Sequence, residues 1–460
     1  MSIGNLALVA NILCSLVAAL LLIKIWRRDV FFAIFFSFLV LYSIVPIWGY
    51  LAYPELSGIV LGMYFGVPPL TYASGFTLLS LSALYVAYRL IYRPISRPVR
   101  FDLKQSKPLP GVFIFIAIFF SCILASGYGY YEDVLSYANA SDDEFLLSAG
   151  LSYKIFWLLY KFSTFILLTI YALIRSKAFR LRVDRIALRL IAYVYCFLFF
   201  LITVRVGSRT DPLALALGIL AYEYYFRRFL AGRGGASNRM HATSSLWKAI
   251  LKVAGFSLVI VAALTLLEIA RNGGAIIHDD LETSAIAQAF LLKDYYWPFH
   301  VLIGAIAHNY IDPAAAIASN VGNALMFIGV DYLQSFVVEQ WAPGSVTRTA
   351  SPAMYAFTEG FVMLGWLGFI YNGVVWALGI TLWRLLSRSN DEMFNALSFA
   401  ATVAVAATVA RTQSSYFVKD IYLWFLPTLS LYAIATGVRL KGPHMKKLRA
   451  HSGAQIATSR

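Results

Sequence analysis

The sequence predicts an all-α fold: a polytopic helical bundle embedded in a membrane. Three observations carry that reading. Of the 460 residues, 60% are hydrophobic and 13% charged, with a mean hydropathy of +0.71, whereas soluble globular chains are about 45–50% apolar and about 25% charged. Apolar runs of spanning length, about 20 residues each, recur along the whole chain. The basic residues segregate into alternate loops, the pattern that orients helices in a bilayer.

Eleven spans are expected, at roughly 5–23, 30–52, 67–88, 111–130, 153–174, 188–206, 212–226, 249–269, 361–383, 395–412 and 418–437. The first lacks a basic leader and a small-residue cleavage site and is followed by Lys24, Arg27 and Arg28, so it reads as an uncleaved anchor with the N-terminus outside. Residues Arg93–Gly111, basic and rich in proline, read as an extended cytoplasmic connector. The acidic stretch Glu132–Phe145 reads as a solvated outer loop. A large outer, periplasmic loop at about 271–360 separates spans 8 and 9. Within it Trp297–Ile311 is too short to span, and the stretch that follows to Val338 carries Asn320, Asn323 and Asp331. Both read as interfacial or re-entrant helices, tolerable only where protein or water meets their backbone; should both cross, the count rises to thirteen. The domain organisation is one transmembrane domain over residues 1–440 and a basic, cytoplasmic, disordered tail over 441–460.

The formal charge of +15 would suit a nucleic-acid partner, but its distribution argues otherwise. With the first N-terminus outside, 29 of the 38 basic residues and six of the 23 acidic ones fall on the cytoplasmic side. The inside is strongly positive and the remainder negative, so the excess reports orientation and no nucleic-acid role follows. Cys14, Cys122 and Cys196 lie far apart in apolar runs, without the spacing of a zinc or redox site. No Walker, dinucleotide-binding or HExxH pattern occurs, so no cofactor or metal is expected.

Against the negative outer face, a few cations stand out. Arg205 and Arg209 are four residues apart where one span ends and the next begins, Arg271 follows the next span, Arg348 lies in the large loop, and Arg411 ends a late span with Lys419 beyond it. An arginine at the bilayer centre costs about 2.5–3.5 kcal/mol, and its planar fork binds phosphate oxygens in pairs. Converging below the outer headgroups, these residues suit a lipid-linked diphosphate; singly, each equally suits snorkelling or pairing with Asp211, Glu268 or Asp420. Acid/base or acceptor-orienting candidates are Asp294 and His300, in Lys293–His300 among aromatic residues, with His308 close by. Glu359 stands at the mouth of a span with glycines behind it. A carboxylate there is a functional candidate, and a helix-start carboxylate favoured by the dipole is the plain alternative.

The order of these segments resembles the Wzy-like O-antigen and exopolysaccharide polymerases, most closely the branch that polymerises enterobacterial common antigen. The resemblance rests on VGSRTDPLALALGI with Arg209, on Arg271, on LLKDYYWPFHVLI with Asp294, on WAPGSVTR with Arg348, on TEGFVMLGWLG with Glu359 and on VARTQ with Arg411. It covers about residues 195–435. It implies a glycosyltransferase of the bacterial inner membrane that moves a growing glycan from undecaprenyl diphosphate onto a lipid-linked repeat unit at the periplasmic face. It implies no metal or nucleotide; the partners would be undecaprenyl-diphosphate-linked oligosaccharide, membrane lipid and a chain-length regulator. An O-antigen ligase shares the donor and the arginines. A lipid-glycan flippase is the alternative from another class, although two related halves and mid-membrane charges, usual in flippases, are not evident here.

Overall fold

The computed structural model describes residues 3–52, 65–95, 102–105, 108–127, 151–176, 182–206, 210–233, 298–325, 333–340, 354–389 and 391–441. Long helices dominate it: α1 (Ile3–Trp26), α2 (Val30–Ala52), α3 (Val67–Ile95), α4 (Pro110–Gly127), α5 (Leu151–Ser176), α6 (Arg182–Val206) and α7 (Thr210–Arg233). Short ones follow: α8 (Pro298–Ala307), α9 (Pro313–Ala324), α10 (Leu333–Val338) and α11 (Thr358–Leu364). Then come α12 (Gly368–Leu386), α13 (Glu392–Val409), α14 (Tyr416–Asp420) and α15 (Leu426–Thr436). Among the described residues seven stretches are long and apolar enough to cross a membrane, and the fold is that of a helical membrane protein. Ten of the eleven expected runs coincide with helices; the run at 249–269 lies outside the described residues.

α2 and α13 form much of the interior. Phe32, Phe35, Phe36 and Leu39 of α2 are buried, as are Ala400, Ala401, Ala404 and Ala406 of α13, small residues that let neighbouring helices come close. α1 lies at the periphery, with Leu13, Leu16, Leu20 and Ile23 exposed, as suits a lipid-facing helix. Polar residues gather where helices end. Arg384 of α12, Asp29 before α2 and Tyr88 of α3 meet at one end, as do Glu223 of α7 and Arg175 of α5. We call this the basic end.

The structure adds two features to the expected helical bundle. The first is a short strand pair: β1 (Asp102–Gln105) pairs antiparallel with β2 (Val438–Lys441), with Asp102 opposite Lys441 and Gln105 opposite Val438. Residues 102–105 of the expected connector are thus tied down by a ladder, because extended backbone with no helix to join satisfies its polar groups by pairing. β2 ends at Lys441, and residues 442–460 of the expected tail lie outside the described residues. The second is a break in the run at 361–383, which is not one continuous helix: the chain reverses at Gly365, where φ is 58° and ψ −134°. Few residues other than glycine adopt that conformation.

α8 and α9, ten and twelve residues long, rise only about 15 and 18 Å, well short of a hydrocarbon core of about 30 Å. The helix from Tyr416 to Thr436 passes through a π-turn at Ile421–Phe425. Pro427 lacks the N–H that would bond to the carbonyl four residues back, and a local change of register accommodates the loss.

Candidate functional site: a buried carboxylate on a reversed helix

At the end of the bundle away from Arg384, three non-spanning pieces are stitched to one another through their backbones. Tyr355 N–H donates to Pro298 O at 2.9 Å, Met354 N–H to Arg411 O at 2.9 Å and Ala356 N–H to Ala410 O at 3.3 Å. Asp312 N–H donates to Val362 O at 2.9 Å, joining the start of α9 to α11. Irregular backbone survives inside a membrane bundle only when its polar groups are met in this way. Residues 354–357, α11 and the turn at 410–415 form one buried assembly, with Tyr355, Phe357, Thr358, Arg411, Thr412 and Gln413 all buried.

The reversal at Gly365 folds α11 back along the start of α12. Gly360 and Gly368 touch backbone to backbone, and a Cβ on Gly368 would overlap the Gly360 carbonyl. Asn372 braces the pair, its Nδ2 donating to Phe357 O at 3.0 Å and to Ser80 Oγ at 3.2 Å. This hairpin carries Glu359 inward, level with Tyr371, and leaves it with 0% of its surface exposed.

Four donors hold the Glu359 carboxylate. Asn320 Nδ2 donates to Oε1 at 2.8 Å and Ser414 Oγ at 2.7 Å, with the Tyr371 hydroxyl as a third donor. Ser414 N–H donates to Oε2 at 2.7 Å. Among the described residues no cation forms an ion pair with it. A carboxylate has about four lone-pair sites: Oε1 is crowded, while Oε2 keeps capacity for another donor. Asn320 Oδ1, directed elsewhere, meets no partner among the described residues.

A second polar set extends this cluster. Gln413 Nε2 donates to Ser319 Oγ at 2.9 Å, and Asn323 Nδ2 donates to Gln413 Oε1 at 3.0 Å and to Ser319 O at 2.9 Å. Ser319, Asn320 and Asn323 form one stripe of α9, at helical spacing. Asp312 starts that helix, accepting from Ala315 N–H at 2.9 Å, the usual cap geometry. The turn at 410–415 is thus tied to α9 and to α11 at once.

Of the eight candidate residues, one is at the centre of this assembly and two lie on segments joined to it through backbone hydrogen bonds. Glu359 is central, Arg411 lies three residues from Ser414 in the same buried turn with 9% exposure, and His300 stands in α8, whose first carbonyl is held by Tyr355. The His300 ring, 1% exposed, lies 4.8 Å from that of Phe65, and burial lowers its pKa to about 3. His308 is exposed at the end of the same region. Arg205 lies in the last turn of α6. Asp294, Arg209, Arg271 and Arg348 lie outside the described residues.

Sequence reasoning overlooked Tyr371, Ser414 and Gln413, and noted Asn320 only as a polar residue in an apolar stretch. The available signal was the cluster Thr412, Gln413, Ser414, Ser415 between two apolar runs, too polar for a span interior and, once buried, in need of partners.

Fold and site together define a helical membrane protein with a polar centre built on interrupted helices. Compared with protein-family models, curated proteins and solved structures, the chain matches none.

Proposed function

We propose that the chain is a polysaccharide polymerase of the bacterial inner membrane. It would transfer a growing glycan from undecaprenyl diphosphate to a hydroxyl of a lipid-linked repeat unit, with the Glu359 end facing the periplasm and the basic end the cytoplasm. The observation that carries this reading is Glu359 itself: a wholly buried carboxylate, held by neutral donors on a reversed helix, with Arg411 in the turn that supplies one of its partners.

In this reading the acceptor hydroxyl donates to Glu359 Oε2, and a neighbouring hydroxyl meets Asn320 Oδ1. Attack at the anomeric carbon of the donor forms the new C–O bond. The old bond to phosphate breaks, its electron pair leaves on undecaprenyl diphosphate, and the hydroxyl proton passes to Glu359. Arg411, with Arg205, Arg209, Arg271 and Arg348 as the further candidates, would stabilise the charge developing on the diphosphate. Asp294 remains a candidate for orienting the acceptor. His300, neutral through burial, is better suited to shaping the site than to carrying charge.

Lipid-linked and surface glycans in a deletion strain test the assignment. A surface glycan stopped at one repeat, restored by the wild-type chain and reduced at least about 100-fold in polymer by Glu359→Gln at equal membrane abundance, is the expected result. Polymer of normal length in the deletion strain overturns it. Loss of all surface glycan with accumulation of long lipid-linked chains would instead identify a ligase, and lipid-linked units trapped on the cytoplasmic side a flippase.

A further inference from the structure

About 20 Å along α12 from Tyr371, by helical rise to Arg384, a cavity of about 320 Å³ lies where α1, α2 and α3 meet at the basic end. Its inner wall is electrostatically complete. Asp29 accepts from Arg384, from the Tyr88 hydroxyl at 3.2 Å and from Phe32 N–H at 3.1 Å, and Arg384 also donates to the Tyr88 oxygen at 2.6 Å. The carboxylate charge is therefore answered inside the wall and does not repel an anion in the cavity.

The outer wall is cationic. Arg28 is exposed and Arg89 half-buried, and among the described residues neither forms an ion pair. The Arg89 guanidinium lies 5.1 Å from the Tyr85 ring centre and the Lys24 ammonium 5.6 Å from the same ring. These contacts orient the cations without neutralising them. Tyr85 and Tyr92 also line the space, giving flat apolar walls between positive groups.

The approach to the cavity is greasy. Leu20 and Ile23 of α1 are exposed just before Lys24, and Val86 and Leu90 of α3 are exposed on either side of Arg89. The apolar spans Ala7–Trp26 and Val67–Tyr92 end at the cavity, so it sits at headgroup depth. Phosphate chemistry fits Arg28 and Arg89; the apolar lead-in selects a source that carries acyl chains over a soluble phosphate.

We propose that this cavity binds the phosphodiester headgroup of an anionic phospholipid, whose acyl chains lie along the exposed faces of α1 and α3. A zwitterionic headgroup brings its own cation to a wall already in positive excess and binds less well. The site is independent of the glycan-transfer reading, since none of its residues belongs to the Glu359 assembly.

The test uses the full-length protein in phosphatidylcholine nanodiscs titrated with phosphatidylglycerol, with retained lipid read by native mass spectrometry and unfolding temperature measured in parallel. The wild type is expected to retain phosphatidylglycerol in preference to phosphatidylcholine and to gain stability from it. Arg28→Gln and Arg89→Gln, each eluting as the wild type does on gel filtration, should each weaken retention about fivefold. Arg27→Gln makes the same charge change on an exposed neighbour that does not line the cavity, and should leave retention unchanged. Equal weakening by Arg27→Gln would reduce the effect to diffuse surface charge and overturn the site. Undiminished retention in the Arg28 and Arg89 variants would overturn it too, as would full stabilisation by glycerol 1-phosphate without acyl chains, which would make the ligand a soluble phosphate.

Discussion

Two buried glutamates, one at each end of the bundle, are solvated in opposite ways. Glu223 of α7 accepts from Arg175 Nε at 2.6 Å, Arg227 Nε at 2.7 Å and the Tyr171 hydroxyl at 2.8 Å. Glu359 accepts from an amide, two hydroxyls and a backbone N–H, with no cation among the described residues. The Glu223 charge is spent on its neighbours, and the group is a structural tie between α5 and α7. The Glu359 charge is held by dipoles in an interior where electrostatic interactions are strong. Under the glycan-transfer reading proposed above, such a fixed ring of dipoles would suit a reacting group, because the donors need not reorganise when charge moves.

The sharpest way to break this contrast is to remove the Glu359 carboxylate altogether. Glu359→Ala leaves four buried donors facing nothing, and at about 1–3 kcal/mol for each abandoned group the loss should reach about 4 kcal/mol even after relaxation. Thermal unfolding in detergent measures it, and a loss below about 1 kcal/mol would mean the cluster is not built around this residue.

The next effect separates the two ends by pH. His300 has a pKa of about 3 in the folded chain because it is buried, against about 6.5 when unfolded. The unfolded chain binds the proton first as pH falls, so stability is full above pH 6.5 and declines below it, by about 2 kcal/mol at pH 5. His300→Phe should flatten that slope in unfolding temperatures measured between pH 7 and pH 5. A slope unchanged in the variant would assign the acid sensitivity to another group.

The smallest expected effect is at the basic end. Glu223→Gln keeps the shape of the group and loses its charge. Because the Arg175 side chain is 40% exposed and water can replace part of the pairing, the cost should be about 1 kcal/mol, shrinking as salt is added. A cost rivalling that of Glu359→Ala, or one indifferent to salt, would erase the distinction between the two carboxylates.

Helix positions were legible in the sequence because an apolar run of spanning length has few alternatives in a membrane. The short length of α8 was legible for the same reason, whereas the bounds of α9 within the stretch to Val338 were not. The reversal at Gly365 was not: residues 361–383 read as one apolar run, and a change of direction costs no hydrophobicity. Glu359 was legible as a carboxylate out of place. Its partners Asn320, Tyr371 and Ser414 come from three separate elements, and nothing periodic in one segment announces a hydrogen bond to another. The β1–β2 pair escaped notice because each strand is four residues long and carries charge.

That strand pair also sets a clock. β1 leaves the ribosome more than three hundred residues ahead of β2, which at about 5–20 residues per second is tens of seconds. Throughout that interval its edge has no mate, and the ladder can close only after every described helix between them has been made. Zipping of Asp102–Gln105 onto Val438–Lys441 is therefore a late event in biogenesis, a clasp fastened once the bundle it encircles in sequence is in place.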